Sequence, residues 1–213
     1  MKKEQLWRAF FYSLGVVVLS IGITLNTKTG LGLACVSAVP YSFAQAFAFP
    51  FSTALFWYYV LCVVFQVVVR KGKVTWKEAA QFPLSYAFSA IQAWVAGLIR
   101  LEFTAPWQPY AVLPLAVICT GFGIALMVDM ELVPNPADGV PAALSQVMGK
   151  EMGFCKNLMD MGCVAIALTA DLLLNHRILS VGVGTIAAML FNGRAVALFD
   201  RLFKKKIKAL AGL

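Results

Sequence analysis

Two carboxylates stand in parts of the sequence that are otherwise apolar. Asp138 lies in the block VPNPADGVP, and Asp160 lies in an apolar run that begins near residue 157. Charge is costly inside a membrane, so such residues mark ion, proton or substrate sites by default. We predict that Asp138 or Asp160 binds a coupling proton or cation. The structural alternatives are an N-cap for Asp138 and an interfacial ion pair from Asp160 to Lys156 or Lys150.

Neutral polar residues complete the predicted substrate site. Their amide and hydroxyl groups can hydrogen-bond a ligand, or they can satisfy backbone groups where a helix stops. The glycines before Thr185 permit either close helix packing or the approach of a ligand to the backbone. With the two acids, the candidate substrate-binding residues are Asn26, Ser37, Asn135, Asp138, Asn157, Asp160 and Thr185.

Motifs for metal, cofactor or nucleophilic chemistry are absent from the sequence. It has one histidine, five cysteines without C-x-x-C spacing, and no HExxH, Walker A or G-x-S-x-G pattern. We therefore expect no metal site, no cofactor and no enzymatic activity. A membrane-embedded enzyme acting on lipid could use Asp138 and Asp160 as acid and base, but no nucleophile accompanies them.

The composition excludes a soluble single-core protein. Of 213 residues, 61% are hydrophobic and 13% are charged, and the mean hydropathy is +0.79. Globular domains have about 45–50% apolar and about 25% charged residues. Since a spanning helix needs about 20 apolar residues, we predict an all-α membrane protein with six spans. These cover residues 6–26, 53–70, 82–99, 111–130, 157–175 and 181–199.

The distribution of basic residues predicts the orientation. The net charge is +8, and the basic residues fall mainly between apolar runs, which fits the positive-inside rule and not nucleic-acid binding. Both termini are then cytoplasmic, and the basic tail lies on the anionic inner leaflet. The basic residues on that side are Lys2, Lys3, Arg8, Arg70, Lys71, Lys73, Lys77, Lys150, Lys156, Arg201, Lys204, Lys205, Lys206 and Lys208.

The remaining polar residues near the spans are assigned structural roles. We expect Asp129 and Glu131 to face water at the end of the fourth span. A surface pair with His176 or Arg177 is the expected role of Asp171. Gln66 and Gln92 lie within spans, where such residues usually form hydrogen bonds between helices.

Two short apolar segments lie between spans 1 and 2 and between spans 4 and 5. Each follows glycine or proline and is too short to span, so it predicts a re-entrant or interfacial helix. We expect these helices to open at Ser37 and Asp138, which are good N-caps with a proline in the first turn. Free backbone amides at such helix starts favour an anionic or dipolar ligand group.

The two short segments belong to an internal repeat. A shift of 101 residues aligns residues 22–46 with 123–147 at 7 identities in 25 positions, including Val39-Pro40 on Val140-Pro141. A three-residue adjustment extends the match into spans 2 and 5. Because each half holds three spans, residues 1–105 and 106–213 form an inverted 3+3 repeat in one compact membrane domain.

These residues also resemble a known family. GIxL, the glycine and proline break, the block PNPADGVPAALS and GVGT from Gly182 are similar to the YczE/YyaS/YitT-type family of bacterial integral membrane proteins. The resemblance implies a multi-pass protein of the bacterial cytoplasmic membrane, often described as a transporter. The chain departs from the family pattern at Ser37, which aligns with Asp138, and we expect no soluble C-terminal domain like that of the YitT branch.

The function predicted from these features is small-solute transport by alternating access. The site would lie between the two repeats near the short helices, and one half would rock against the other. The alternative is a substrate-binding subunit of a multi-component importer, similar to the six-helix S-components of energy-coupling-factor transporters. The expected partners are a small-molecule solute, the lipid bilayer and, as an open alternative, a second copy of the chain. No nucleic acid is expected.

Overall fold

The described part of the chain is helical. A computed structural model describes residues 3–72 and 75–213, so Lys2 and Lys73 of the charge prediction lie outside the described residues. Within these ranges no strand is present. The helices are α1 (Lys3–Thr29), α2 (Cys35–Ala46), α3 (Phe51–Val69), α4 (Trp76–Leu98), α5 (Gln108–Asp129), α6 (Pro136–Met148), α7 (Met152–Leu174), α8 (Val183–Phe199) and α9 (Lys205–Ala211), with a π-helical turn at Asp200–Lys204.

Five of the six predicted spans coincide with helices that are long and apolar enough to cross a membrane. Among the described residues these are α1, α3, α5, α7 and the segment Val183–Ala211. This is the architecture of an all-α membrane protein. The predicted span 82–99 falls in α4. This helix is long enough to cross a membrane but is less apolar than the five candidates, so six spans stay a prediction.

Helix α4 has its polar face turned inward. Gln81, Ser85 and Gln92 are fully buried along one side of it. Large apolar side chains such as Tyr86 and Trp94 are exposed, with 71% and 61% of their surface accessible. This is the reverse of a helix on the surface of a soluble protein, whose apolar stripe faces the core.

The two predicted short helices are present, but both begin earlier than predicted. α2 starts at Cys35 and α6 at Pro136, so Ser37 and Asp138 lie within the first helical turn. The prediction that Ser37 and Asp138 are N-caps is therefore wrong. The starts remain equivalent, since 136 − 35 = 101, which is the offset of the sequence repeat.

Asn135 caps α6 in place of Asp138. Its side-chain Oδ1 accepts a hydrogen bond from Ala137 N at 3.1 Å, and its carbonyl accepts from Asp138 N and Gly139 N. Pro136 has no amide hydrogen to offer. The first-turn amides of α6 are thus already used, so the predicted attraction of a ligand by free amides does not hold for this helix.

The chain divides into two compact units, each drawing segments from both sequence halves. Unit 1 comprises Met1–Leu33, Ile91–Leu132 and Val183–Leu213, and unit 2 comprises Ala34–Ala90 and Val133–Gly182. In unit 2, α2 packs against α7, and α3 packs against α6. The two contacts correspond, since α2 is equivalent to α6 and α3 to α7 in the repeat. The starts of α3 and α7 also differ by 152 − 51 = 101 residues, whereas their ends differ by 174 − 69 = 105, so a shift of offset like the one predicted from sequence falls within these helices.

In unit 1, α1 and α5 cross closely in antiparallel directions. A Cβ on Gly22 would lie 2.5 Å from Thr120 N, and a Cβ on Gly123 would lie 2.6 Å from Leu19 Cα. Residues later in α1 therefore contact residues earlier in α5, which means that the two helices run antiparallel. The two contacts are equivalent by the repeat offset, because 22 + 101 = 123 and 19 + 101 = 120.

The end of α5 is tied to the C-terminal segment of unit 1. Asp129 is 3% exposed and pairs with Lys204 Nζ at 2.8 Å. Glu131 is exposed, as predicted, and pairs with Lys208 Nζ at 2.6 Å. The prediction that Asp129 faces water is wrong, because the π-helical turn after α8 returns Lys204 to it.

Candidate functional site

A cluster of three charged residues joins α6 to α7 in unit 2. Lys156 Nζ lies 3.1 Å from Asp160 Oδ1, one helical turn further along α7, and 3.9 Å from Asp138 Oδ1. The predicted ion pair of Asp160 with Lys156 is confirmed. The ammonium also brings the two predicted acids together, so one cation lies between two acidic side chains.

The surroundings of Asp138 disfavour its charged form. Desolvation raises the pKa of this carboxyl above its ordinary range, Lys156 partly lowers it, and Asp160 adds to the rise. The side chain keeps 38% of its surface accessible, so the desolvation is partial. Nearby, Asn135 Nδ2 lies 3.5 Å from the hydroxyl of Tyr59, which is fully buried on α3. This arrangement can hold a proton or exchange a small cation.

The other predicted site residues are scattered. Ser37 is buried on α2, whereas Asn157 is exposed on α7 and makes no side-chain hydrogen bond within the described residues. Asn26 and Thr185 belong to unit 1, where both are buried. The Oδ1 of Asn26 has no hydrogen-bond partner in residues 3–72 and 75–213, which leaves it available to a ligand.

The glutamines within the helices connect neighbouring helices, as predicted. Gln66 Nε2 on α3 donates to Gln81 Oε1 on α4 at 3.0 Å and to the Pro136 carbonyl at 3.0 Å. Gln92 Nε2 donates to Thr24 Oγ1 on α1 at 2.8 Å. Gly139 makes the first of these networks possible, because a Cβ there would overlap the Gln66 amide.

A cavity that the sequence did not predict opens in unit 2 between the end of α3, the start of α4 and α6. Its volume is about 620 Å³, within the range of about 300–1,000 Å³ found for small-molecule sites. The Gln66 and Gln81 amides line it together with apolar atoms of Val69 and Ala142. Gly139 also lines it, so the cavity and Asp138 adjoin the same turn of α6.

Arg70, Thr75 and Glu78 form a fixed polar group at this cavity. Arg70 Nη1 donates to Glu78 Oε1, and the two side chains are 15% and 4% exposed. Thr75 N donates to Glu78 Oε2 at 2.7 Å, and the Thr75 hydroxyl donates to the same oxygen. Thr75-Trp-Lys-Glu78 has the sequence of a capping box, and the Glu78 carboxylate accepts from the Thr75 amide as in that motif, so this pattern could have identified Glu78 from sequence.

A second polar group lies between α7 and the segment before α8, also in unit 2. Asp171 Oδ2 accepts hydrogen bonds from Leu179 N at 2.8 Å, Ser180 N at 2.7 Å and Ser180 Oγ at 2.8 Å. Its Oδ1 accepts from Asn175 Nδ2 at 3.2 Å. Ser42 Oγ of α2 lies 2.9 Å from Ser180 Oγ. Asp171, Ser180 and Ser42 are all fully buried.

The predicted role of Asp171 is therefore wrong. It is not a surface residue, and within the described residues it forms no ion pair with His176 or Arg177. Backbone amides and hydroxyls satisfy its carboxylate instead, because the chain after α7 folds back over it.

The two polar groups occupy equivalent positions in the repeat. Both lie where repeat-equivalent helices end: Arg70 is the C-cap of α3 and Asn175 is the C-cap of α7, so Arg70 corresponds to Asn175. Gln66, whose carbonyl accepts from Arg70 N, likewise corresponds to Asp171, whose carbonyl accepts from Asn175 N. We call Arg70, Thr75, Glu78 and the adjoining cavity the Arg70 end, and Ser42, Asp171, Asn175, Leu179 and Ser180 the Asp171 end. The Arg70 end adjoins a cavity, whereas at the Asp171 end the side chains of Ser42, Asp171 and Ser180 are buried and hydrogen-bonded to one another.

Comparison with known proteins supplies a family but no relative of established function. Curated proteins and solved structures give no match. The model of a family of unknown function, DUF6198, matches residues 6–201, and nothing in that match supports the YczE/YyaS/YitT naming specifically. The chain therefore belongs to the DUF6198 family.

Proposed function

We propose that this protein is a small-solute transporter of the bacterial cytoplasmic membrane, built as an inverted repeat of three spans and three spans. The antiparallel crossing of the repeat-equivalent helices α1 and α5 supports inversion, because related halves in opposite orientations must run in opposite directions. The outward apolar face of α4 supports a sixth span, since a membrane helix can turn its polar side chains inward.

One observation carries the proposal of alternating access: the unequal packing of the Arg70 end and the Asp171 end. In an inverted-repeat transporter, the two halves exchange conformations so that access opens first on one side and then on the other. A cavity at one end and a buried network at the equivalent end are what such a protein has in one of its two states. With both termini cytoplasmic, the Arg70 end faces the cytoplasm.

In this proposal the cluster of Asp138, Lys156 and Asp160 is the coupling site. A carboxyl with a raised pKa near an ammonium can take up a proton in one state and release it in the other. The remaining predicted residues, Asn26, Ser37, Asn135, Asn157 and Thr185, stay candidates for contacts with the solute.

The importer-subunit alternative has less support. Docking to an energising partner would need a face of small residues on the first helix. Gly15 and Ser20 are buried inside this chain, which leaves Ala9 and Ser13 exposed on α1. Co-purification of a stoichiometric ATPase module from native membranes would favour this alternative over an autonomous transporter.

The proposal is tested by proton movement in proteoliposomes that contain a pH-sensitive dye. Outward and inward gradients of phosphate, succinate, glutamine and choline are imposed in turn on the wild type and on Asp138→Asn. We expect at least one gradient to drive proton movement in the wild type and Asp138→Asn to abolish the coupling. Glu102→Gln, which neutralises an exposed acid in unit 1, is the matched control and should retain it. No solute-dependent flux, or equal coupling in Asp138→Asn, contradicts the assignment.

A further inference from the structure

We propose that the cavity at the Arg70 end binds the oxyanion group of a small organic anion, a carboxylate or a phosphate. This inference rests on the proposed transport function and names the class of its solute. The cavity is bounded by the end of α3, the start of α4 and α6, and the residues that line it belong to unit 2.

Glu78, the acid that lines the cavity, already has hydrogen-bond partners within the protein. Both oxygens of Glu78 accept hydrogen bonds, one from Arg70 and the other from the amide and hydroxyl of Thr75. A carboxylate in this condition is held as a capping and positioning group, so it does not select a cationic ligand.

The unused donors are cationic. Arg70 Nε is buried and has no hydrogen-bond partner among the described residues, although its Nη1 binds Glu78. Lys71 and Lys77 also line the cavity, and neither forms an ion pair with any residue in 3–72 or 75–213. Among the described residues that line the cavity, three cations against one acid leave a surplus of +2. Charged donors converging on one volume favour a carboxylate or phosphate.

The remaining lining residues limit the size and polarity of the part of the ligand beyond its oxyanion group. Val69, Pro134, Ala142 and Val147 supply apolar wall, and Gln66 has its amide group bound to Gln81 and Pro136. About 620 Å³ holds a molecule of metabolite size together with water. The expected ligand therefore has one oxyanion head and a short carbon body.

Binding is tested by calorimetry on the purified chain in neutral detergent, with succinate and inorganic phosphate as probes at constant ionic strength and choline for comparison. We expect both anions to bind and choline not to bind. The double substitution Lys71→Gln with Lys77→Gln should weaken anion binding about tenfold or more, since it removes charge-assisted hydrogen bonds. Lys205→Gln with Lys206→Gln removes the same charge from the exposed tail and should change the affinity less than twofold.

Ala142→Phe provides a test that changes no charge. It fills the cavity from α6 and should abolish succinate binding while circular dichroism and thermal unfolding stay close to wild type. Equal weakening by the cavity and tail pairs, unchanged binding in Ala142→Phe, or equal binding of choline would overturn the inference.

The source of the oxyanion is decided in nanodiscs. Phosphate binding is measured in phosphatidylcholine discs and in discs that also contain phosphatidylglycerol. Unchanged affinity assigns the cavity to a soluble anion, whereas competition by phosphatidylglycerol supports the oxyanion site but assigns it to a lipid headgroup. Anion binding without flux would contradict transport alone, and flux of a solute without anion binding would contradict this inference alone.

Discussion

The Arg70 end and the Asp171 end start from equivalent backbone and finish with opposite chemistry. At one, a guanidinium pairs with an acid on the next helix and a cavity lies beside the pair. At the other, a buried carboxylate accepts hydrogen bonds from two backbone amides and a hydroxyl. A carboxylate can gather several N–H donors from a returning chain, whereas a guanidinium, which only donates, cannot. The two ends therefore differ in what holds the chain after the helix: a guanidinium–carboxylate pair after α3, and a carboxylate bound to backbone amides after α7.

The largest loss of folding stability is expected from removing the carboxylate of the Asp171 end. Asp171→Ala leaves the amides of Leu179 and Ser180 buried without their acceptor, which costs about 3 kcal/mol or more. The apparent midpoint of thermal unfolding should fall by roughly 6–12 °C. A thiol-reactive dye reports this unfolding, since Cys35, Cys62, Cys155 and Cys163 are buried in the folded chain.

The control for Asp171→Ala is Glu131→Ala, an exposed acid that pairs with a lysine. Its expected cost is within about 0.5 kcal/mol. Similar midpoints for the two variants would mean that the Asp171 end is not a buried network.

A smaller effect is expected at the Arg70 end. Arg70→Gln leaves buried Glu78 with only its Thr75 contacts and should cost about 2 kcal/mol. Adding Glu78→Gln removes the uncompensated charge, so the double variant should recover at least half of that loss. A double variant with the summed cost of both single substitutions would show that the pair is not coupled.

The smallest loss of stability is expected from substitutions at Ala38 on α2 and Gly139 on α6, which are equivalent in the repeat. Ala38 of α2 is fully buried and corresponds to Gly139 of α6, because 38 + 101 = 139. Ala38→Gly should cost about 1 kcal/mol through lower helix propensity. Gly139→Ala should cost a similar amount for another reason, namely displacement of the Gln66 amide.

A matched background separates the two causes. In Gln66→Ala, the cost of Gly139→Ala should fall toward zero or reverse, while the cost of Ala38→Gly should not change. Equal costs of Gly139→Ala in both backgrounds would disprove the contact with Gln66. Unfolding is followed with the same thiol-reactive dye.

The fold was predictable where the signal lies in local composition. Apolar runs placed five spans and both short helices to within a few residues, because burial in lipid requires only length and apolarity. The start of α6 was misplaced because Asn135 and Asp138 are both residue types that cap helices well. Proline is favoured at the first helical position, so Pro136 makes Asn135 the N-cap.

The candidate site was predictable only in part. Asp138, Lys156 and Asp160 were singled out because charge in apolar sequence is conspicuous. The burial of Asp171 was missed because its setting depends on Ser42, which is 129 residues away, and on the return of the chain after α7. The cavity was missed because its walls come from α3, α4 and α6, and no local pattern reports a volume that three separate segments enclose.

The central claim is that the two repeats are inverted, so that the Arg70 end and the Asp171 end open to opposite sides of the membrane. Gln45 on α2 and Gln146 on α6 are equivalent, exposed and identical in type. Gln45→Cys and Gln146→Cys are each labelled with a membrane-impermeant thiol reagent in right-side-out and inside-out vesicles, with the unsubstituted chain as background. Labelling from opposite sides is predicted, with Gln146→Cys reacting from the cytoplasmic side. Labelling of both cysteines from the same side would contradict the account.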